Sequence, residues 1–373
     1  MSCNFLVSSC ADLGSYTCNS FCQTSSLLGM DQIRSSFLCT MTYLIVQSSM
    51  AVADEHYQDD NKELQPLLVF GPPLIFEVFE SRNSHKYLFL KAFSIQLPLL
   101  EFLTTQNVDP SSIRTILCNQ LQPITANVIR LLPSLALIVT TTIGNDHIDL
   151  PECNRRGVQV VNVGSQSTED VADMAVGLLI DVLYRISAAD RYVRKWVPSK
   201  PWNLPPGSKL GGKRVGIVGL GRIGGEVAKR LEAFNCRIMY HSRHKKPFVS
   251  YTFYSNILEL ASNSDVLVLC CSLTDETRHM INREVMLALG KEGVIVNVGR
   301  GALIDENALV QCLMKGEIRG AGLDVFENEP EVPKELITLD NVVLSPHAAA
   351  LTSDYFTDTC KFVAESLSKS LLF

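Results

Sequence analysis

The sequence predicts an α/β fold with parallel sheets, in which one domain interrupts another. Short apolar runs, as at residues 67–70, 115–118 and 137–141, alternate with helical stretches such as 126–132. This alternation is typical of parallel sheets flanked by helices. With 373 residues, the chain is long enough for two domains with a substantial core.

The most specific pattern lies between residues 212 and 246. An apolar strand, residues 215–218, runs into Gly219-Leu-Gly221-Arg-Ile-Gly224, and a helical run and a second strand follow. The first Gly permits a tight turn, and the second lets backbone approach a pyrophosphate. The third lets helix and strand pack closely, with phosphates at the helix N-terminus. Framed by strand, helix and strand, this spacing predicts a dinucleotide-binding site.

The end of the second strand indicates which dinucleotide binds. An NAD site usually has Asp or Glu about 20 residues beyond the glycines, to bind the ribose 2′-hydroxyl. Here Ser242, Arg243 and His244 are followed by two lysines, with no carboxylate before Glu259. Arg243 can bind a 2′-phosphate bidentately and Ser242 can donate to it. The sequence therefore favours NADPH, with NADH as the weaker alternative; a solvated basic loop is the competing interpretation.

Charge and composition exclude several classes. The net charge of −6 argues against a nucleic-acid surface, and the absence of a run of 18 apolar residues argues against a membrane span. The twelve Cys lack metal-ligand spacing, so we expect no metal. Reduced, buried thiols in a cytoplasmic protein are the favoured interpretation.

Residues 1–64 are predicted to be a poorly ordered extension with no catalytic part. The first fifty residues hold eleven Ser and five of the twelve Cys, and their charges are Asp12, Asp31 and Arg34. A Ser-rich, acid-poor segment is typical of a transit peptide, although a usual one has more Arg. Organelle targeting is therefore the alternative to the cytoplasm.

Three titratable or charged residues follow apolar strands in the second half of the chain. They are Arg300, Glu329 and His347. Ligands bind outside the carboxyl ends of parallel strands, so these side chains are expected to converge there. Such a set suits reduction of a 2-keto acid, in which Arg300 holds the carboxylate, His347 protonates the carbonyl oxygen and Glu329 orients the His. His147 is a competing acid, for which a structural role is favoured.

These motifs resemble those of the D-2-hydroxyacid dehydrogenase family, especially the plant glyoxylate/hydroxypyruvate reductases and the hydroxyphenylpyruvate reductases. The resemblance spans about residues 132–351, through IGNDHIDL, TEDVADMAVGLL, GKRVGIVGLGRIG, VNVGRG, GAGLDVFENEP and LSPH. It implies a homodimer, and a Rossmann dinucleotide-binding domain inserted in a flavodoxin-like substrate domain. The expected boundaries are 65–166 for the substrate domain, completed by 349–373, and 167–348 for the NAD(P)-binding domain.

The resemblance also implies site roles. The family's catalytic Arg, Glu and His fall on Arg300, Glu329 and His347. The remaining roles divide between coenzyme and substrate. The coenzyme set is Gly219, Leu220, Gly221, Arg222, Ile223 and Gly224 at the pyrophosphate, Ser242, Arg243 and His244 at the 2′-phosphate, and Val298, Gly299 and Asp324 at the nicotinamide; the substrate set is Ile143, Gly144, Asn145 and Arg300.

Two segments depart from the family pattern. Residues 348–351 read Ala-Ala-Ala-Leu where relatives commonly have Gly and Ser, and residues 119–123 read Asn-Gln-Leu-Gln-Pro where relatives have a small Gly-containing loop. The expected function is NADPH-dependent reduction of glyoxylate or hydroxypyruvate. The alternatives are hydroxyphenylpyruvate reduction and a catalytically idle, dinucleotide-sensing interaction protein.

Overall fold

The computed structural model describes residues 64–71, 73–92, 97–120, 122–164, 166–195 and 205–370. The predicted N-terminal extension lies outside the described residues, apart from Leu64. Residues 196–204 also lie outside them.

The described chain divides into two compact units. One contains the segment Pro73–His85, and the other contains Gln65–Pro72 and the chain from Lys86 onward. In the first unit, helix α1 spans Pro73–Asn83 and carries a basic residue in its last turn. The side-chain amide of Asn83 donates to the carbonyl of Phe79 at 2.9 Å, which satisfies one carbonyl near the end of the helix.

The first sheet of the larger unit has five strands, all parallel, in the order β2-β1-β3-β4-β5. This is the flavodoxin-like order. Its central strands are continuous apolar runs because helices cover both faces of such a sheet. The strands are β1 Gln65–Phe70, β2 Tyr87–Lys91, β3 Thr115–Cys118, β4 Leu137–Thr140 and β5 Gln159–Asn162.

Side-chain caps fix where two of the helices of the first sheet begin. The carboxylate of Asp149 accepts from the backbone N–H of Glu152 at 3.0 Å, and Gly157 ends the same helix in the left-handed conformation. Thr125 caps the helix before it. The helices are α2 Leu99–Thr105, α3 Ala126–Leu131 and α4 Leu150–Arg156.

The second sheet has seven parallel strands in the order β12-β11-β10-β9-β6-β7-β8. It contains the doubly wound order of dinucleotide-binding sheets, with the direction of winding changing between β6 and β9. Two parallel sheets of these orders confirm the predicted fold class. The strands are β6 Arg214–Val218, β7 Arg237–His241, β8 Thr252–Tyr254, β9 Val266–Leu269, β10 Val294–Asn297, β11 Gly320–Leu323 and β12 Val342–Leu344.

The longest helix on the second sheet packs closely against β11. A Cβ at Gly322 would lie 3.0 Å from the Cβ of Leu178, so the glycines of β11 allow this approach. The helix ends at Tyr184, because Arg185 has a φ of 59°. At its other end Ser167 is the N-cap residue, and its side chain accepts no capping hydrogen bond. The helices are α5 Thr168–Tyr184, α6 Ile186–Arg194, α7 Arg222–Ala233, α8 Ile257–Ser262, α9 Arg283–Leu289, α10 Glu306–Met314 and α11 Lys334–Thr338.

The last helix, α12 Ser353–Ser370, contacts the first sheet. The Tyr355 hydroxyl donates to the carbonyl of Thr141, just after β4. At the start of the helix, the Thr352 hydroxyl donates to Asp170 of α5 at 2.8 Å. The last helix thus contacts the first sheet, while the domain assignment stays a prediction. Across the described ranges, no helix is both long and apolar enough to cross a membrane.

Glu152, in the first turn of α4, is buried and forms two ion pairs. Its Oε1 lies 2.6 Å from Nη2 of Arg155 and 3.1 Å from Nε of Arg130. Hydrogen bonds from Arg155 and Arg130 lower the pKa of Glu152 from 4.5 to about 2. Because this pKa is lower in the folded chain, the pairs stabilise the fold above about pH 4.5. That contribution is lost as the pH falls toward the folded value.

We predict that Glu152→Gln lowers the thermal unfolding midpoint at neutral pH, and that its difference from the native chain shrinks as the pH falls to about 3. Calorimetry over this range measures both effects. Glu101→Gln, at an exposed position of α2, is the control and should have little effect. A Glu152→Gln difference that stays constant with pH would contradict this account.

Candidate active site

Every residue that the sequence predicts for the site lies in a loop after one of six strands or, for residues 222–224, in the first turn of α7. The strands of each sheet are parallel, so these loops meet at one edge of their sheet. The loop after β4 belongs to the first sheet, and the others belong to the second. The predicted residues are 143–145 after β4, 219–224 after β6, 242–244 after β7, 298–300 after β10, 324 and 329 after β11, and 347 after β12.

The turn between β6 and α7 fits a pyrophosphate. Gly219 has a φ of 96°, and a Cβ there would lie 2.6 Å from the backbone nitrogen of Cys271. A Cβ at Gly224 would overlap the carbonyl oxygen of Gly219, whereas one at Gly221 would meet nothing within 4 Å. Gly221 is the N-cap residue of the next helix, α7, and supplies no side-chain cap, so the first N–H groups of the helix remain for an anion. Leu220, Arg222 and Ile223 complete this turn.

The loop after β7 presents a basic surface. Arg243 and His244 are exposed, and the hydroxyl of Ser242 donates to the carbonyl of His244 at 2.7 Å. Arg243 forms no ion pair with any residue in the described part of the chain. The donors of this loop therefore suit a phosphate better than a bare ribose hydroxyl.

A buried amide fixes the backbone around Arg300. Asn297, the last residue of β10, is fully buried; its Oδ1 accepts from Gly299 N at 3.1 Å and its Nδ2 donates to the carbonyl of Arg300 at 2.9 Å. Val298 lies in the same turn and is buried. Sequence reasoning missed Asn297, although a polar residue inside an apolar strand was the available signal.

The Arg300 guanidinium reaches the loop of the first sheet. Its Nε and Nη2 donate to Oδ2 and Oδ1 of Asp146, each at 3.1 Å, and Nη1 donates to the carbonyl of Gly299 at 2.8 Å. Burial alone would raise the pKa of Asp146, but the hydrogen bonds and charge of Arg300 outweigh it and lower this pKa. Sequence reasoning did not identify Asp146, which lies 154 positions from its partner.

The loop 143–145 has free donors and occupied acceptors. The carbonyl of Ile143 accepts from the Asn162 amide at 2.9 Å, that of Gly144 from the Thr142 hydroxyl at 2.8 Å, and that of Asn145 from the N–H of Ile148 at 3.0 Å. Within the described chain, the N–H groups of Ile143 and Gly144 have no acceptor. This backbone can therefore donate two hydrogen bonds to a ligand, which suits a carboxylate.

His347 and Glu329 are brought together as predicted. Nδ1 of His347 lies 2.8 Å from Oε2 of Glu329, whose Oε1 accepts from Phe326 N at 3.0 Å. Burial by itself would raise the pKa of Glu329. The hydrogen bond from His347 and the positive charge of that ring outweigh burial, so the pKa of Glu329 is lowered. The neighbouring Glu327 contacts His279 instead, at 2.7 Å. The pair leaves Nε2 as the ring nitrogen that is not bonded to Glu329.

The loop that carries His347 is tied to Asp324. This carboxylate is 1% exposed and accepts hydrogen bonds from the Ser345 hydroxyl at 2.5 Å, Ala348 N at 2.8 Å and Ala349 N at 3.1 Å. The N–H of His347 donates to the carbonyl of Asp324 at 2.7 Å. Asp324 therefore holds the turn, a role that the sequence did not indicate.

Two further polar side chains lie near the site. The amide nitrogen of Gln120, after β3, is 3.2 Å from Nε2 and 3.3 Å from Nδ1 of His347. An atom nearly equidistant from both ring nitrogens cannot lie on the lone-pair axis of either, so this amide does not occupy the axis of Nε2. His147 bonds to Thr140 at 3.1 Å, and burial lowers its pKa. This placement agrees with the structural role favoured for His147.

Comparison with known proteins gives a consistent set of relatives. Residues 176–349 match the model of the D-isomer specific 2-hydroxyacid dehydrogenase, NAD binding domain. The chain is 60% identical over 242 residues to a glyoxylate/hydroxypyruvate reductase of Arabidopsis thaliana. The matched residues make up 65% of this chain and 75% of that relative. The chain is also 50% identical over 254 residues to a hydroxyphenylpyruvate reductase of Plectranthus scutellarioides, covering 68% and 79%.

Two similar solved structures cover a larger share of the chain than these two relatives do. An NADPH-dependent glyoxylate/hydroxypyruvate reductase from Sinorhizobium meliloti, in complex with NADP and malonate, has a TM-score of 0.73 and 33% identity, covering 82% of this chain and 93% of that chain. A 2-hydroxyacid dehydrogenase from Ketogulonicigenium vulgare has a TM-score of 0.75 and 30% identity, covering 83% and 96%. Both likenesses reach beyond the residues of the dinucleotide-binding sheet.

Two adjacent glycines test the pyrophosphate turn as a matched pair. A Cβ at Gly224 overlaps the carbonyl of Gly219, whereas a Cβ at Gly225 meets nothing within 4 Å. We predict that Gly224→Ala weakens NADPH binding about tenfold or more and lowers the unfolding midpoint, while Gly225→Ala leaves both nearly unchanged. Fluorescence titration with NADPH and thermal unfolding measure these outcomes. Equal NADPH affinity in the two variants would contradict the assignment.

Proposed function

We propose, since this chain belongs to the D-isomer specific 2-hydroxyacid dehydrogenase family, that it reduces a small 2-keto acid to the 2-hydroxy acid with NADPH. Glyoxylate and hydroxypyruvate are the leading substrates, as the names of the similar proteins from Arabidopsis thaliana and Sinorhizobium meliloti suggest. The observation that carries the proposal is the His347–Glu329 pair, 2.8 Å apart, at the same sheet edge as Arg300.

Arg300 and the loop 143–145 bind the substrate carboxylate in this proposal. Asp146 and Gly299 occupy three N–H bonds of the guanidinium, so one remains on Nη1 and one on Nη2. This pair matches the two oxygens of a carboxylate. The free N–H groups of Ile143 and Gly144 add further donors, while Asn145 helps shape the loop through its 3.4 Å contact with Asn162.

His347 supplies the proton to the carbonyl oxygen. Glu329 accepts from Nδ1, which fixes the ring plane and leaves Nε2 to carry the transferred proton. The carboxylate also stabilises the imidazolium before transfer, because the lowered pKa of Glu329 keeps it ionised at neutral pH. The amide nitrogen of Gln120 contacts the same ring, 3.2 Å from Nε2.

The described residues fit a nicotinamide dinucleotide. When bound, NADPH supplies the hydride that the carbonyl carbon receives. Gly219–Gly224 would hold the pyrophosphate, Arg243 the 2′-phosphate, and the turn of Val298 and Gly299 would lie toward the nicotinamide. Asp324 accepts three hydrogen bonds within the protein, which leaves its carboxylate with capacity for one more donor. Closure of the two domains would exclude water from this site.

A cytoplasmic homodimer is part of the proposal. The resemblance to the family supports the dimer, and the cysteines support the reducing compartment. None of the seven cysteines in the described ranges forms a disulfide, and burial raises the pKa of Cys118 to about 12. Inert, protonated thiols of this kind suit a cytoplasmic protein.

Hydroxyphenylpyruvate is the second candidate substrate. A hydroxyphenylpyruvate reductase shares 50% identity with the chain, and the residues after His347 are apolar. Ala349 is buried and Ala350 packs against the core. The segment after His347 therefore offers no hydroxyl to a small polar substrate. A catalytically idle, dinucleotide-sensing protein is less well supported, because binding alone does not require a His–Glu pair.

The direct test measures NADPH oxidation with glyoxylate, hydroxypyruvate and hydroxyphenylpyruvate. We expect turnover of at least one of the two smaller acids, and a loss of about a hundredfold or more in kcat/KM for Arg300→Ala, because a charge-assisted anchor is removed. Arg194→Ala, in an exposed ion pair with Asp190, is the control and should behave as the native enzyme. Native-like turnover by Arg300→Ala would refute the role of Arg300.

Coenzyme preference depends on Arg243 in this proposal. Arg243→Ala should raise the Kd for NADPH about tenfold or more while leaving that for NADH nearly unchanged, because only NADPH carries the 2′-phosphate. Arg237→Ala, at the exposed opposite end of β7, is the matched control. Equal weakening of both coenzymes by Arg243→Ala would reject the 2′-phosphate assignment.

A further inference from the structure

Arg300 has a partner that neither the sequence motifs nor the proposed reaction assigns. We propose that Asp146 is a positioning residue: it holds one edge of the Arg300 guanidinium, so that the other edge faces the substrate carboxylate. The inference rests on the proposed function, because it assumes that Arg300 binds the carboxylate of a 2-keto acid. It adds a residue from the first sheet to the set that determines substrate binding.

The donors of Arg300 divide cleanly between protein and substrate. A guanidinium has five N–H bonds in one plane, and pairs of them form forks at its side and at its end. Asp146 takes the side fork, Nε and Nη2, with both distances at 3.1 Å. The carbonyl of Gly299 takes one N–H of Nη1. One N–H bond is left over on each terminal nitrogen, and in this proposal the two form the end fork that receives the carboxylate.

Gly144 makes room for this arrangement. A Cβ at residue 144 would overlap Nη2 of Arg300 and would lie 2.5 Å from Oδ1 of Asp146. The guanidinium therefore lies against the Cα of Gly144, beside the free N–H groups of the same loop. One short loop thus supplies the carboxylate that orients Arg300, the gap that receives it and the backbone donors next to it.

The charge of Asp146 also affects which anions bind. The Asp146 carboxylate is ionised, since Arg300 lowers its pKa, and it offsets the charge of a guanidinium whose side chain is 24% exposed. A simple anion therefore meets a nearly neutral ion pair rather than a bare cation. A 2-keto acid gains in addition the N–H groups of Ile143 and Gly144 and the proton of His347. This arrangement favours molecules with a carbonyl beside the carboxylate.

A competing role for Asp146 predicts a change in KM of the opposite sign. If Asp146 merely competed with substrate for Arg300, its removal would release the guanidinium and tighten substrate binding. If Asp146 positions Arg300, its removal loosens the guanidinium and weakens binding. The two roles are distinguished by the direction of the change in KM.

The experiment is a double-mutant cycle on the full chain with Asp146→Asn, Arg300→Ala and the combined variant. The readouts are kcat and KM for glyoxylate and hydroxypyruvate with saturating NADPH, and the Kd for NADPH by fluorescence. Asp146→Asn should lower kcat/KM about tenfold or more, mainly through KM, because the anchor acts on bound substrate and transition state alike. In the Arg300→Ala background, the same substitution should cause no further loss.

Two more variants complete the design. Asp149→Asn, in the same loop region, caps α4 and does not contact Arg300, so it should leave kcat/KM unchanged. Gly144→Ala should reproduce the KM defect with Asp146 intact, because the added methyl group displaces the guanidinium. NADPH affinity and the unfolding midpoint should stay near native in Asp146→Asn, which shows that the variant is folded.

The outcomes separate the inference from the proposed function. Native-like or improved KM in Asp146→Asn, or a further loss on top of Arg300→Ala, would overturn the positioning role while leaving the reductase assignment intact. A native enzyme that oxidises NADPH with none of the keto acids would overturn the proposed function, and the inference with it.

Discussion

The site depends on one buried carboxylate at the end of β11. Asp324 accepts three hydrogen bonds from the loop that carries His347, and its backbone carbonyl accepts a fourth from His347 itself. His347 has a φ of 54°, a conformation that costs a residue other than Gly about 1 kcal/mol or more. Hydrogen bonds on both sides of His347 hold the strained turn, which places the imidazole against Glu329. The proposed chemistry thus relies on a carboxylate that does no chemistry of its own.

The two sheets contribute different kinds of groups. The second sheet supplies the charged and titratable side chains, Arg300, Glu329 and His347, from loops at one edge. The first sheet supplies backbone donors in the loop 143–145 and the carboxylate of Asp146. Arg300 joins the two sets, because its side fork is bound by the first sheet while its backbone is fixed by the second. Neither sheet alone carries all the groups of the proposed carboxylate site, which is a physical reason for building the site from both.

The fold class and the family were predictable because their signals are local. The β6–α7 turn follows from glycine spacing, and the placement of Arg300 and His347 follows from the rule that parallel strands end at one edge. The His347–Glu329 contact was predicted from the ends of the strands, and the resemblance implies the same pair. Asp146 and Gln120 were not, because their partners lie 154 and 227 positions away and their contacts depend on how the two sheets meet. The catalytic and binding roles themselves stay predictions.

The central claim is that the end fork of Arg300 and the N–H groups of Ile143 and Gly144 together form a carboxylate site facing Nε2 of His347. A crystal structure of the full chain with NADPH and oxalate tests it most directly. The account predicts one oxalate carboxylate at about 3 Å from both terminal nitrogens of Arg300 and from the loop N–H groups, with an oxygen of the other carboxylate near Nε2. Oxalate bound elsewhere, with the end fork of Arg300 directed to solvent, would contradict it.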